Sequence, residues 1–291
     1  MENRLTAHDT FVVEKQFDAL PAQVFTAWSH PEVKSQWFAE PDSFNFKVGG
    51  KETNQGGPPD GPVFTFEACY QDIVQDRRIV YTYTMNNGDT RISVSLVTVE
   101  FQPIENNGTR LTYTEQGVFL DGHDTPEIRK HGTEIMLDKL DEAVQSRMER
   151  EVVNTRVLHA RREQILRAIS EPEFLAQWWG PKGFTNTIQQ FDMRPGGIWK
   201  YVMHGPDGKD HENKSEFIEV VRPQRIVLRH LEPVHQFFLT MTFVELDEKT
   251  ELTWTMLFDT KAERDKVQRF VSEGNEQNFD KLEAILKEME A

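Results

Sequence analysis

Hydrophobic and polar positions along this chain follow one pattern written twice. A strand pattern over residues 11–17 opens the first half, and one over residues 152–159 opens the second. Two short helices are predicted after each strand. Pro21-Ala22-Gln23-Val24-Phe25 starts one, with proline at a tolerated early helical position. Residues 162–169 are its counterpart. Ser29-His30-Pro31 and Ser170-Glu171-Pro172 restart the chain in the second helix. Strands broken by Gly, Asn and Asp turns come next. The turns are at 58–62, 86–89 and 106–108 in the first half, and at 205–208 and 247–249 in the second. Period-two alternation runs through Leu111 and Tyr113, and through Leu252, Trp254, Met256 and Phe258. A long helix closes each half. Phe279, Leu282, Ile285, Leu286 and Met289 fall on one helical face, as do Met136, Leu140 and Val144. The charged stretch 146–151 reads as the end of the first long helix running into a brief linker.

The repetition extends to individual residues. Trp37-Phe38 follows Pro31-Glu32, and Trp178-Trp179 follows Pro172-Glu173, both at an offset of 141. Gly49-Gly50 matches Gly196-Gly197, and Arg78-Ile79-Val80 matches Arg225-Ile226-Val227, at an offset of 147. Gly132-x-Glu134-x-x-x-Asp138-Lys139-Leu140 matches Gly274-x-Glu276-x-x-x-Asp280-Lys281-Leu282 at 142. The order is collinear. So long a period means a duplicated domain rather than a solenoid repeat. The expected domains are residues 1–146 and 150–291. The expected fold class is α+β: two tandem helix-grip domains. Each would be a curved antiparallel β-sheet wrapped around a long C-terminal α-helix, with two short helices after the first strand. An apolar space between sheet and helix suits a small ligand.

Composition narrows the partners. Apolar residues make up 37% of the 291, and 20 Phe and 6 Trp offset that low share because aromatics bury large areas. The net charge is −15. Residues 1–146 carry 12 Lys+Arg against 23 Asp+Glu, a net −11, and the remainder carries −4. An acidic chain repels phosphate backbones and anionic membranes, so nucleic acid is not an expected partner. No apolar run is long enough for a membrane span. The N-terminal residues show no apolar signal core, and Cys69 is the only cysteine. A cytoplasmic protein is the expectation.

The stretch Ala176-Gln177-Trp178-Trp179-Gly180-Pro181-Lys182-Gly183-Phe184 resembles the signature of domains related to the C-terminal part of the heat-shock-protein-90 ATPase activator. Arg194-Pro195-Gly196-Gly197, Met203-His204-Gly205-Pro206-Asp207-Gly208 and Pro223-Gln224-Arg225-Ile226-Val227 support it. These domains belong to the SRPBCC (START-like, birch-pollen-allergen-like) superfamily. The resemblance covers most of 150–291. The first copy departs from it: Trp37-Phe38-Ala39-Glu40-Pro41 lacks the Gly-Pro-x-Gly turn, and residues 54–62 replace the His-Gly-Pro-Asp-Gly hairpin. Membership of the first copy rests on the repeat. The resemblance implies a cavity for a hydrophobic or amphipathic molecule, and it names a chaperone or other protein as a second kind of partner.

Candidate site residues follow. Adjacent Trp178 and Trp179 cannot face the same way. One anchors the short helix and the other faces cavity or solvent; Trp37 and Phe38 repeat the arrangement. Trp199, Tyr201 and Met203 share one strand face, which is either core or cavity wall. Phe184 and Trp179 are expected nearby, so the second unit is the expected readier binder. Phe64, Phe66, Tyr81 and Tyr83 are candidates to line a cavity in the first. His230 sits in a strand, where it either orients a ligand by one hydrogen bond or is satisfied by its neighbours.

No catalytic constellation is recognisable. Gly49-Gly50 and Gly196-Gly197 match no phosphate loop and read as turns or bulges. His204, His211 and His235 lack a standard metal spacing. No cofactor or metal is expected. Non-catalytic binding of a small hydrophobic molecule is the preferred function. A co-chaperone-like interaction module is the first alternative. A cyclase or hydrolase is the second, and it requires an inward cluster of titratable groups with shifted pKa values.

Overall fold

The structure is a computed structural model that describes residues 5–58, 60–232 and 236–290. His235 and part of the 58–62 turn lie outside the described residues. The chain divides between Ser146 and Arg147 into two compact units. The first contains β1 (Thr6–Phe17), α1 (Pro21–Ser29), α2 (Pro31–Lys34), β2 (Pro41–Phe44), β3 (Lys51–Gly56), β4 (Phe64–Val74), β5 (Arg78–Asn87), β6 (Thr90–Ile104), β7 (Gly108–Leu120) and α3 (Pro126–Met148). The second contains β8 (Glu151–Leu158), α4 (Arg162–Ser170), α5 (Pro172–Trp178), β9 (Thr185–Phe191), β10 (Ile198–His204), β11 (Asp210–Val221), β12 (Arg225–Glu232), β13 (Phe237–Leu246), β14 (Lys249–Phe258) and α6 (Lys261–Glu290).

Each unit is one seven-stranded antiparallel sheet with a long helix packed on it. The strand orders are β1-β7-β6-β5-β4-β3-β2 and β8-β14-β13-β12-β11-β10-β9. The two orders are the same once the numbering is shifted, so both copies are helix-grip α+β domains.

Local chemistry sets the element ends. His30 is extended at φ −109° and ψ 123°, as a residue before proline prefers, so α1 stops and Pro31 opens α2. Glu171 and Pro172 do the same between α4 and α5. The first strand starts earlier than its apolar pattern. Thr6 already pairs with Leu120, because ladder hydrogen bonds are made by backbone and need no buried side chain. The Gly-Gly pairs are tight turns. Gly49 has φ +77°, and a Cβ on Gly50 would lie 2.0 Å from the Asn45 carbonyl oxygen. Gly196 has φ +79°, and a Cβ on Gly197 would lie 2.1 Å from the Asp192 carbonyl oxygen.

Helix α3 buries Thr133, Leu137, Leu140, Ala143 and Val144, a stripe at helical spacing. Lys15 on β1 ties it down through a 2.6 Å ion pair with Asp138. Helix α6 buries Phe279, Leu282, Ile285 and Leu286 in the core of the second unit. Among the described residues no helix is long and apolar enough to cross a membrane.

Candidate functional site

Trp37 and Trp178 do the same structural job. The Trp37 indole N–H donates to the Ala27 carbonyl at 2.9 Å, and that of Trp178 donates to the Ala168 carbonyl at 2.9 Å. Each tryptophan thereby locks a short helix to the one before it. Both are buried. Their neighbours Phe38 and Trp179 turn to the sheet side, and there the two units diverge.

In the first unit a cavity of about 720 Å³ lies between the sheet and α3. Phe38, Phe64, Phe66, Tyr81, Tyr83, Met85 and Ile92 form its sheet-side wall. Trp28 contributes from α1, Trp37 from the turn after α2, and Ile128, Ile135 and Met136 from α3. The six first-unit residues named from sequence (Trp37, Phe38, Phe64, Phe66, Tyr81 and Tyr83) therefore meet at one place. Ring contacts fix the wall: Phe38 meets Phe66 edge-to-face at 5.3 Å, and Phe66 and Tyr83 lie tilted to each other at 4.9 Å.

One part of this wall is polar. Glu115 on β7 is fully buried. It accepts from Tyr83 Oη at 2.6 Å, Ser95 Oγ at 2.7 Å and Tyr113 Oη at 3.2 Å. Arg129 on α3 donates to Glu115 at 3.3 Å and to Ser93 Oγ at 2.9 Å, and also to Tyr83 and Asp124. Tyr83, Tyr113, Arg129 and Asp124 all reach the cavity surface. Burial pushes the phenols of Tyr81, Tyr83 and Tyr113 well above the ordinary value of 10.0, so they remain hydrogen-bond donors.

A second buried group stands at the cavity wall beside α2. Lys34 Nζ lies 2.6 Å from Glu52 Oε2 on β3, and Tyr70 on β4 donates to the same oxygen. The rings of Trp28, Trp37, Phe38 and Phe44 surround the amine at 5.4–5.9 Å. Burial lowers the Lys34 pKa below 10.5; Glu52 opposes the shift and burial prevails. The other oxygen, Glu52 Oε1, is buried and has no hydrogen-bond partner among the described residues.

The second unit fills the same space. Trp199 and Tyr201 stand at the register positions of Glu52 and Asn54. Their rings stack at 4.4 Å, and Trp179 packs on Trp199 at 4.8 Å and on Trp254 at 5.1 Å. The Trp179 indole donates to Tyr201 Oη at 3.1 Å. Met203 and Trp179 pack against this core. Phe184 is half-buried, with its ring 6.1 Å from that of His211. His230 is buried, stacked at 4.8 Å on Phe237, with Ser215 Oγ 3.4 Å from Nδ1. The aromatics expected to make the second unit the readier binder pack against one another instead. Glu52 and Asn54 put polar side chains where Trp199 and Tyr201 put rings. His204, at the end of β10, bonds Thr187 on β9 and Asp210 on β11.

Sequence reading missed Glu115, Arg129 and Lys34. Glu115 could have been found, because it continues the inward alternation of Leu111 and Tyr113.

A sheet gripping a helix, built twice with one interior hollow and one filled, defines a duplicated helix-grip protein. The chain matches the family described as "Activator of Hsp90 ATPase homolog 1-like protein" over residues 18–145 and again over 159–287, and it belongs to that family. Similar solved structures are single domains. The Mll3558 protein from Rhizobium loti is 40% identical, covering 48% of this chain and 99% of its own, with a TM-score of 0.46. A protein from Rhizobium leguminosarum is 44% identical, covering 49% and 97%, with a TM-score of 0.45. No curated protein matches the chain.

Proposed function

We propose that the first unit binds one small amphipathic molecule in the cavity between its sheet and α3. The observation that carries this reading is the cavity of about 720 Å³. That volume lies within the roughly 300–1,000 Å³ of small-molecule pockets. The apolar body of the ligand lies against Phe64, Phe66 and Met136, and a hydroxyl group on it faces Tyr83, Tyr113 and Arg129. Burial of apolar area supplies the affinity, and the phenols supply orientation. The second unit, whose aromatic rings pack against one another, does not bind at that position. Cytoplasmic residence fits the single thiol.

The test is titration of the full chain with the fluorescent apolar probe N-phenyl-1-naphthylamine. Met136→Trp places a larger side chain in the cavity. It should weaken binding at least about tenfold, or ~1.4 kcal/mol. Equal affinity in both proteins would sink the reading.

The family match favours a second reading, a protein-contact module. Phe270 on α6, 72% exposed, gives it a place to begin. It predicts that the chain stimulates the ATPase of a chaperone of the Hsp90 type, and that Phe270→Ala weakens the effect. No stimulation at saturating chain would remove it.

A further inference from the structure

We propose that Lys34 captures carbonyl compounds: its amine, held at the cavity wall beside Glu52, forms an imine with an aldehyde or ketone lodged in the first unit. The inference rests on the cavity reading above and adds a substrate class to it. Three observations carry it.

Lys34 is buried yet lines the cavity, and four aromatic rings frame its amine. An apolar carbonyl compound stacked there would present its electrophilic carbon to Nζ. Glu52 supplies a proton acceptor 2.6 Å away, and its second oxygen is buried and unpartnered. Finally, the fold does not need this ion pair. The second unit closes the same position with Leu175, Trp199 and Phe217 in place of Lys34, Glu52 and Tyr70. A buried ion pair that apolar residues can replace is weak evidence of a stabilising role. A desolvated lysine is the ordinary form of an amine nucleophile, and burial lowers the pKa of this one.

The step balances without an oxidant. The ammonium passes a proton to Glu52. The nitrogen lone pair attacks the carbonyl carbon, forming C–N, and the carbonyl π pair moves to oxygen. That oxygen takes two protons in all and leaves as water while C=N forms. The nitrogen sheds three protons: two leave in the water and one stays on Glu52.

The experiment incubates the full chain with 2-naphthaldehyde and sodium cyanoborohydride, which reduces an imine to a stable secondary amine, and maps the label by peptide mass. Label should accrue at Lys34 at least about tenfold faster than at any other lysine, a ~1.4 kcal/mol difference in barrier. Naphthalen-2-ylmethanol, which lacks the carbonyl, should slow labelling by competition. Lys34→Arg should remove the fast site. Because the site of labelling is read in the unaltered chain, a poorly folding variant does not blur the result. If the alcohol binds and Lys34 is labelled no faster than exposed lysines, the imine is excluded and the cavity stands. If neither molecule binds, both readings fall.

Discussion

Glu115 and Met256 occupy the same point of the repeated fold. Glu115 pairs with Phe11 on β1 and Val97 on β6; Met256 pairs with Val152 on β8 and Leu239 on β13. One is a buried carboxylate with three hydroxyl donors and an arginine, the other a buried thioether. The backbone is indifferent to the exchange, so the interior of this fold is set by its side chains.

That exchange can be made by mutation. Glu115→Met leaves Arg129 buried with less of its charge compensated and should cost the first unit ~3–5 kcal/mol. Adding Arg129→Val copies Val271 of the second unit and should recover much of the loss. Urea midpoints of the two variants check this. A harmless single substitution would show that the ion pair does not hold α3 to the sheet.

The five tyrosines supply a pH prediction. Tyr70, Tyr81, Tyr83, Tyr113 and Tyr201 are all buried, and burial raises each phenol above its ordinary 10.0. A raised acid keeps its proton in the folded chain after the unfolded chain has lost it. The unfolded state then binds fewer protons, so stability is intact below pH 10 and falls as pH rises beyond it. Phenolate absorbance should appear together with unfolding, not before it, in a titration from pH ~8 to ~11. Tyrosine ionisation at 10 in a chain that stays folded would contradict the burial.

Trp178→Ala should cost ~3–5 kcal/mol and leave probe binding by the first unit unchanged. Trp37→Ala should cost a similar amount and also weaken the probe, because Trp37 reaches the cavity. Calorimetric melting and probe titration separate the two outcomes. If Trp178→Ala melts like the parent, the indole is not the anchor its hydrogen bond indicates.

Gly50→Ala and Gly197→Ala should each destabilise their own unit by ~1–3 kcal/mol, since the added carbon meets a backbone oxygen that cannot step aside. Thermal melting checks this. Gly49→Ala meets no atom but must hold φ +77°, so its cost is conformational alone.

Most of the fold was legible because it is written twice. Turn chemistry at Gly88 and Asp247, proline at Pro31 and Pro172, and the apolar stripe of α6 each mark an element directly. The edge strand β2 was not legible, because Pro-Asp-Ser-Phe carries no alternation and is held by backbone pairing to β3. The aromatic wall of the first unit was visible as strand alternation. Its charged members were not, because a lysine on a short helix and an arginine near a helix start read as solvated until a sheet covers them. Volume was the other hidden quantity. Aromatic residues mark an interior, but only packing decides whether their rings line a space or occupy it.

The filled interior of the second unit has an optical consequence. Trp178 and Trp179 are 5.5 Å apart, and Trp179 lies within about 5 Å of two more indoles, with centroids at 4.8 and 5.1 Å. Indoles this close share their excited states, so the four act as one coupled chromophore whose circular dichroism depends on mutual geometry. The first unit holds only Trp28 and Trp37 and four of the five phenols. The duplication has thus given each half of one polypeptide its own spectroscopic label.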